Sequence, residues 1–412
     1  MTGAELKSPE DLLKERFGRV EKAIELGEPD RVPLIIFTCG DILRKYAKGY
    51  ELYFNYDRAR EVSVRFATEY PVDVFLAALA AEGFIFALAF SDYPDIAPSV
   101  RFWTGPMHDA LGDKYTRWPG RELPEDSIFQ FIGGQFMEAK EYCKLSDDPI
   151  TFLNEVILPR SCLNLEKPNS EKANVALIRL GVEVSRYLKF LGDSAADLAK
   201  VGVPSLPLTF AYAPLDFIGD FLRYPTGALL DVRRHPDDVK RACEALVEPI
   251  LKVALSLKPA GAKYAFIPLH LNEYLSPKLY NEFYWPTLKK IIVALYEQGI
   301  KSLVFFEGWH DPHLETILEL PRGWGIAYFE KTDVRKAKKI LGGHTCIMGG
   351  VPPSLLLEAT PDKIKGYIKD ILSEVKPGGG FILSPGVADI PMPVPPENLR
   401  ALIDAVEEYG RY

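Results

Sequence analysis

The sequence predicts an α/β fold, a (β/α)8 barrel of the TIM type with an N-terminal helical segment and a long insertion in its first half. Eight short apolar runs alternate with longer segments whose apolar residues recur at helical spacing. The runs are apolar almost without interruption, as parallel strands covered on both faces are. No glycine-rich phosphate fingerprint follows the first run, which argues against a doubly wound dinucleotide-binding sheet.

Taken in order, the chain opens on a charged, helix-periodic stretch, MTGAELKSPEDLLKERFGRVEKAIELGEPD, with no apolar signal-peptide core. The predicted strands are VPLIIFTC (32–39), VDVFLAAL (72–79), SLPLTFAY (205–212) and YAFIPLH (264–270), then SLVFFEG (302–308), GIAYFE (325–330), TCIMGG (345–350) and FILSPG (381–386). Amphipathic segments such as PKLYNEFYWPTLKKIIVALYEQG lie between them and end in glycine, as helices commonly do. The interval 80–204 is too long for one strand–helix step and is rich in Pro, Trp and Asp. It reads as an insertion near one barrel mouth, stiffened by Trp103 and Trp118 with little buried core of its own. With neither a repeat nor a linker in view, residues 1–412 read as a single domain.

Bulk composition narrows the function. Forty-nine basic against 57 acidic residues, a net charge of −8, disfavour nucleic acid and anionic membranes as partners. No apolar run reaches membrane-spanning length. The five cysteines are scattered without a CxxC pair, which fits a reducing cytoplasm and excludes a cysteine-only zinc module. The 23 Phe, 20 Tyr and 5 Trp are enough to build a core and also to line a pocket for a flat ligand.

In such a barrel the chemistry sits where strands end. Three consecutive runs end in potential ligands: His270 after YAFIPL, Glu307 after LVFF and Glu330 after IAYF. Neighbouring strands lie about 5 Å apart, so these side chains could converge on one ion. An imidazole with two carboxylates is a workable zinc set that leaves a position open for substrate; ordinary salt bridges are the alternative for each carboxylate. His310 is a reserve ligand just past the strand, and Tyr274 a candidate hydrogen-bond donor to substrate or a packing residue. In WHDPHLETILEL a helix starting near Asp311 would give His313 a surface face. His344 and Cys346 open a strand and therefore belong to the opposite, structural mouth, with Cys346 a small buried hydrophobe.

The runs FIPLHLNEYLSPKLYNEFYWPTLKKIIVALYEQGI, FFEGW, CIMGGVPPSLL and PGGGFILSPG, then PPENLRALIDAVEEYG, resemble the uroporphyrinogen decarboxylase superfamily from about residue 205 onward. True decarboxylases of that group carry an arginine-rich RQAGR-type motif on the first barrel loop; the corresponding loop here reads IFTCGDILRKY. The resemblance is to the corrinoid-dependent methyltransferase branch. Its thiol-methylating members hold zinc through His-x-Cys on one strand and a late Cys. Phe305, Phe306 and Glu307 stand at the first position here, and Val387 at the second. With soft ligands replaced by a carboxylate, the resemblance implies a harder ion suited to oxygen, as in methoxyaromatic O-demethylases. It further implies zinc or another divalent metal at His270, Glu307 and Glu330, and a corrinoid (cobalamin) carried by a partner protein. Transfer of methyl from a methoxylated aromatic compound to that corrinoid is the expected reaction. A decarboxylase-like lyase, a methylcobalamin:thiol methyltransferase and a non-catalytic corrinoid-binding protein are the alternatives. The insertion would shape the mouth where the corrinoid protein docks, or serve a homodimer. The strand register has a direct check: His344→Ala should leave the metal content measured by elemental analysis unchanged, and a large loss would invalidate the register.

Overall fold

All eight apolar runs form strands. In the computed structural model, which describes residues 7–386 and 389–412, β1 is Ile35–Thr38, β2 Val74–Ala77, β3 Leu208–Phe210 and β4 Tyr264–Leu269. They are followed by β5 Lys301–Phe306, β6 Gly325–Phe329, β7 Cys346–Val351 and β8 Phe381–Pro385. Helical segments follow each, and the fold is the (β/α)8 barrel that the sequence predicts. The N-terminal helix, Pro9–Ile24, lies within the stretch read as helical, and Ser8 caps it by accepting from the Asp11 amide at 3.2 Å. Among the described residues no helix is long and apolar enough to cross a membrane. Among the described residues the cysteines form no disulfide, and Cys346 is fully buried.

The chain divides into two compact units. The first comprises residues up to Leu79, Lys189–Leu206 and Ile326–Tyr412. Its strands run parallel: β1 pairs with β2, β6 with β7 and β7 with β8, and a parallel bridge joins Leu34 to Leu383. Asp73, wholly buried before β2, accepts from Arg19, from Arg31 Nη1 at 2.7 Å and from the Leu34 amide at 2.7 Å. These bonds tie the N-terminal helix to the entrance of β1, and each buried charge has a partner, as burial requires.

The second unit comprises Ala80–Leu188 and Pro207–Gly325. Its strands β3, β4 and β5 are also parallel, with Phe210 beside Phe266 and Leu269 beside Phe306. Most of the 80–204 insertion belongs to this unit, and one expectation about it fails. Far from lacking a core, it buries Trp103 and Trp118 completely, along with Phe84, Phe86, Met107, Leu111 and Tyr115. The short helices Phe84–Ala89 and Gly105–Leu111 contribute Phe84, Phe86, Met107 and Leu111 to that core.

A charge cluster built on buried His108 and Asp113 and exposed Glu122 fixes the loop that carries Trp118. His108 Nδ1 meets Asp113 Oδ2 at 2.5 Å, and its Nε2 meets Glu122 Oε1 at 3.2 Å. Asp113 also accepts from the Tyr115 and Thr116 amides, and Glu122 from the Trp118 amide, all at 2.9 Å. Burial opposes charging of the imidazole, but the two carboxylates outweigh it and raise the His108 pKa. A raised folded-state pKa adds stability that is complete below the unfolded value of about 6.5 and is lost as pH climbs through the folded value. The stability advantage of wild type over His108→Gln should therefore be largest near pH 6 and shrink toward pH 9 in denaturant titrations. Every tenfold gain in proton affinity on folding corresponds to about 1.4 kcal/mol of that advantage, and an advantage that grew with pH would contradict the assignment.

Candidate functional site

His270 and Glu307 are each the first residue beyond neighbouring parallel strands, next in register after the Leu269–Phe306 pair. That register brings them together: His270 Nε2 lies 3.4 Å from Glu307 Oε1. The other ring nitrogen, Nδ1, is 2.6 Å from Asp220 Oδ2, which in turn accepts from the Tyr212 hydroxyl at 2.8 Å. The imidazole is thus bracketed by two carboxylates. Its backbone is held as firmly, because Asp216 accepts from the amides of His270 at 3.1 Å and Leu271 at 2.9 Å, and from the Tyr284 hydroxyl.

Asp216 and Asp220 come from one helical segment, Pro214–Phe217 continued by Ile218–Leu222. Four residues apart, they project from the same side of it. Burial disfavours a charged His270, yet Asp220 and Glu307 overrule it and raise the pKa well above the ordinary range. The two carboxylates thus favour the protonated ring in the absence of a competing cation.

Aromatic side chains continue from this cluster. Tyr212 stands edge-on to His270 with centroids 5.9 Å apart, and Phe84 stacks on Tyr212 at 5.2 Å. Phe210 and Phe266, half-buried on neighbouring strands, meet at 6.5 Å, and Phe102 packs on Phe210 at 5.0 Å.

The remaining predicted residues are placed differently. Tyr274 is 63% exposed on the turn after His270. His310 is wholly buried; its Nδ1 lies 3.2 Å from Asn272 Nδ2 and its ring 4.2 Å from that of Phe306. Burial, and then His313, push its pKa well below the ordinary value, so it is a neutral core histidine. His313 does not have the surface face expected of it. It is buried against Tyr280, rings stacked at 4.1 Å, because the segment Asp311–Glu319 is a 3-10 helix that turns it inward. Glu330 follows β6 in the other unit, half-buried, with its carbonyl beneath Gly386. Val387 lies outside the described residues. Gly308 answers for the glycine in FFEGW: its φ is +68°, and a Cβ there would overlap the Glu273 carboxylate, which accepts from the Trp309 amide.

The family described as "Uroporphyrinogen decarboxylase (URO-D)" matches residues 164–409. The chain belongs to the uroporphyrinogen decarboxylase family. Among curated relatives, the uroporphyrinogen decarboxylase of Syntrophotalea carbinolica is 24% identical over 63% of this chain and 76% of its own length. That of Chlorobium phaeovibrioides is 32% identical over 32% of this chain and 38% of its own length. Among solved structures, a methyltransferase from Methanosarcina mazei aligns with a TM-score of 0.62 and 16% identity, covering 95% of this chain and 98% of that one. This last likeness is one of fold.

Family membership leaves open what the cluster holds. Two metal-bound donors at about 2.1 Å in a tetrahedral site stand roughly 3.4 Å apart, the separation of His270 Nε2 and Glu307 Oε1. Asp220 on Nδ1 is the orienting carboxylate that metal-binding histidines commonly have. His270 and Glu307 therefore suit a divalent ion as a pair, while among the described residues no three His, Cys, Asp or Glu side chains are gathered around one point. Sequence reasoning missed Asp216, Asp220, Tyr212 and Asn272. A signal was present for two of them: APLDFIGDFL is an apolar run interrupted by two carboxylates four residues apart, and buried carboxylates need partners. Asp220→Asn should lower the His270 pKa in chelator-treated protein, toward or below 6.5, as read by NMR titration of the imidazole. An unchanged pKa would show that Glu307 alone sets it.

Proposed function

We propose that this chain is a methyltransferase that moves the methyl group of a methoxylated aromatic compound to the cobalt of a corrinoid protein, an O-demethylation. The observation that carries the reading is the Asp220–His270–Glu307 cluster, hard nitrogen and oxygen donors beside an aromatic wall. By the resemblance, Phe305 and Glu307 stand where the His and Cys of a thiolate-based zinc site would be, so a thiol substrate is disfavoured. Against a decarboxylase acting on a poly-acidic substrate, the buried Arg101 has the Glu82 carboxylate 2.9 Å away, a like charge that an acidic group reaching it would meet. The Methanosarcina mazei neighbour, named as a methyltransferase, agrees with the proposal through fold alone.

In this reading His270 and Glu307 hold zinc or another divalent metal. When bound, such an ion supplies Lewis acidity to the ether oxygen, whose phenolate is otherwise a poor leaving group. The chain's own residues prepare that chemistry. Asp220 keeps the proton on Nδ1 and turns Nε2 toward Glu307; Tyr212 steadies Asp220; Asp216 fixes the backbone that carries the ring. The methyl carbon–oxygen bond breaks with its electron pair left on oxygen, and the phenolate takes up a proton. Tyr274, exposed beside the mouth of this strand, is the proposed hydroxyl contact to substrate.

A second reading is favoured by the charge on His270. Without metal, its Nε2–H is itself an acid able to protonate the departing phenolate, with Glu307 holding that proton until substrate arrives. Protein purified without chelators should carry about one divalent metal per chain by elemental analysis. Glu307→Gln should keep the fold and lose most of that metal, because an amide is a much poorer ligand than a carboxylate. Methyl transfer from methoxyarenes to reduced cobalamin tests the reaction. Transfer by metal-free protein would select the imidazolium reading, and no transfer from any methoxyarene would reject the function.

A further inference from the structure

A second buried polar group lies in the same unit, outside the catalytic cluster. The short ladder Ala81–Glu82 runs antiparallel to Phe102–Trp103, and the Gly83 amide donates to the Arg101 carbonyl at 2.7 Å. This hairpin brings Arg101 onto Glu82: Nη2 donates to Oε2 at 2.9 Å. Arg101 is 1% exposed, and its guanidinium lies over the Phe210 ring at 3.4 Å and over Phe102 at 4.0 Å. The pair is incomplete. Among the described residues, Arg101 Nε and Nη1 and Glu82 Oε1 are all buried without a hydrogen-bond partner.

Orphaned charged groups on this scale are costly and rare, and each calls for an explanation. Their neighbours suggest one. Phe210 and Phe102, over whose rings the guanidinium lies, are both only half-buried. The wall leads back to the catalytic cluster, for Phe84 lies 6.0 Å from the guanidinium and stacks on Tyr212, whose hydroxyl donates to Asp220. Burial raises the Glu82 pKa, the positive charges of Arg101 and His270 lower it, and the charge of Asp220 raises it.

The donor and acceptor balance selects the ligand. A carboxylate would satisfy Arg101 but meet Glu82 as a like charge, and an ammonium would do the reverse. A neutral hydroxyl accepts from the guanidinium and donates to Oε1 at once. We propose that Arg101 and Glu82 form a specificity site for a hydroxyl substituent on an aromatic ring stacked against Phe102 and Phe210, so that the ligand is a phenol. This rests on the reading above that the site takes an aromatic ring, but not on methyl transfer.

The test is binding of phenol, anisole and benzoate to the chelator-treated full chain by calorimetry. Phenol should bind about tenfold or more tightly than anisole, one hydrogen-bond set being worth at least that ratio, and more tightly than benzoate. The double variant Arg101→Met, Glu82→Leu removes both charges together, a change buried pairs commonly tolerate, and should abolish the preference. Arg101→Lys keeps the charge but not the planar donors and should reduce it, which covers the case in which the double variant does not fold. Equal affinity for phenol and anisole in wild type would overturn the proposal, leaving the orphaned atoms to buried water. Tighter binding of benzoate would overturn it too, in favour of an anion. The proposed reaction fails separately: phenol selectivity without methyl transfer rejects the reaction and keeps this site, and methyl transfer without phenol selectivity does the opposite.

Discussion

Two carboxylates one helical turn apart determine the candidate site. Where β4 runs out, the amides of His270 and Leu271 lose the sheet as a partner, and a buried amide without an acceptor is costly. Asp216 supplies the acceptor for both, so the direction in which the chain leaves the strand is fixed by one side chain. Asp220, four residues on, does the same for the imidazole. Burial pushes the Asp216 carboxyl up to about 7, while the positive charge of His270 pulls it down. The clamp and the ring it holds are therefore electrostatically one object: charge on His270 stabilises the carboxylate that positions it.

This dependence explains why the fold was more legible than the site. Strands announce themselves locally. Each of the eight apolar runs became a strand because an uninterrupted β-branched and aromatic segment flanked by helices has few other ways to be buried. His270 and Glu307 were readable for a related reason, since a polar residue ending such a run marks the strand's end. Their partners were not. Asp220 is 50 residues from His270 in sequence, and nothing in a single chain reports that Pro214–Leu222 will lie against that strand end. His313 failed on a finer point: the sequence shows a helix start near Asp311, but a 3-10 segment turns through three residues rather than 3.6 and faces different residues inward.

The insertion failed for a matter of scale. Proline and tryptophan in FSDYPDIAPSVRFWTGPMHDALGDKYTRWPG read as stiff surface, because prolines punctuate loops and the apolar residues are too irregular to show a period. In the structure the irregularity is what allows burial. Short ladders and single helical turns let Trp103, Trp118 and Tyr115 point to a common interior. The same irregular hairpin places Arg101 and Glu82, nineteen residues apart, against the aromatic wall. A regular helix there would have presented one face; the hairpin presents a pair of opposite charges side by side.

Charge balance also favours a cation at this site. Asp220 and Glu307 set two carboxylates against one imidazole, which carries at most one positive charge. The surplus is negative even with the imidazole charged. A proton on Nε2 and a divalent ion at the same nitrogen are mutually exclusive, because a metal needs the lone pair that the proton occupies. Exchange of one for the other adds one unit of positive charge where carboxylates are in excess, so the field that raises the His270 pKa also favours the stronger cation. Glu307 sits where either would be held. The carboxylate at the end of LVFF, costly if left bare in a buried strand, is accounted for by that surplus: it belongs to a cluster arranged around positive charge.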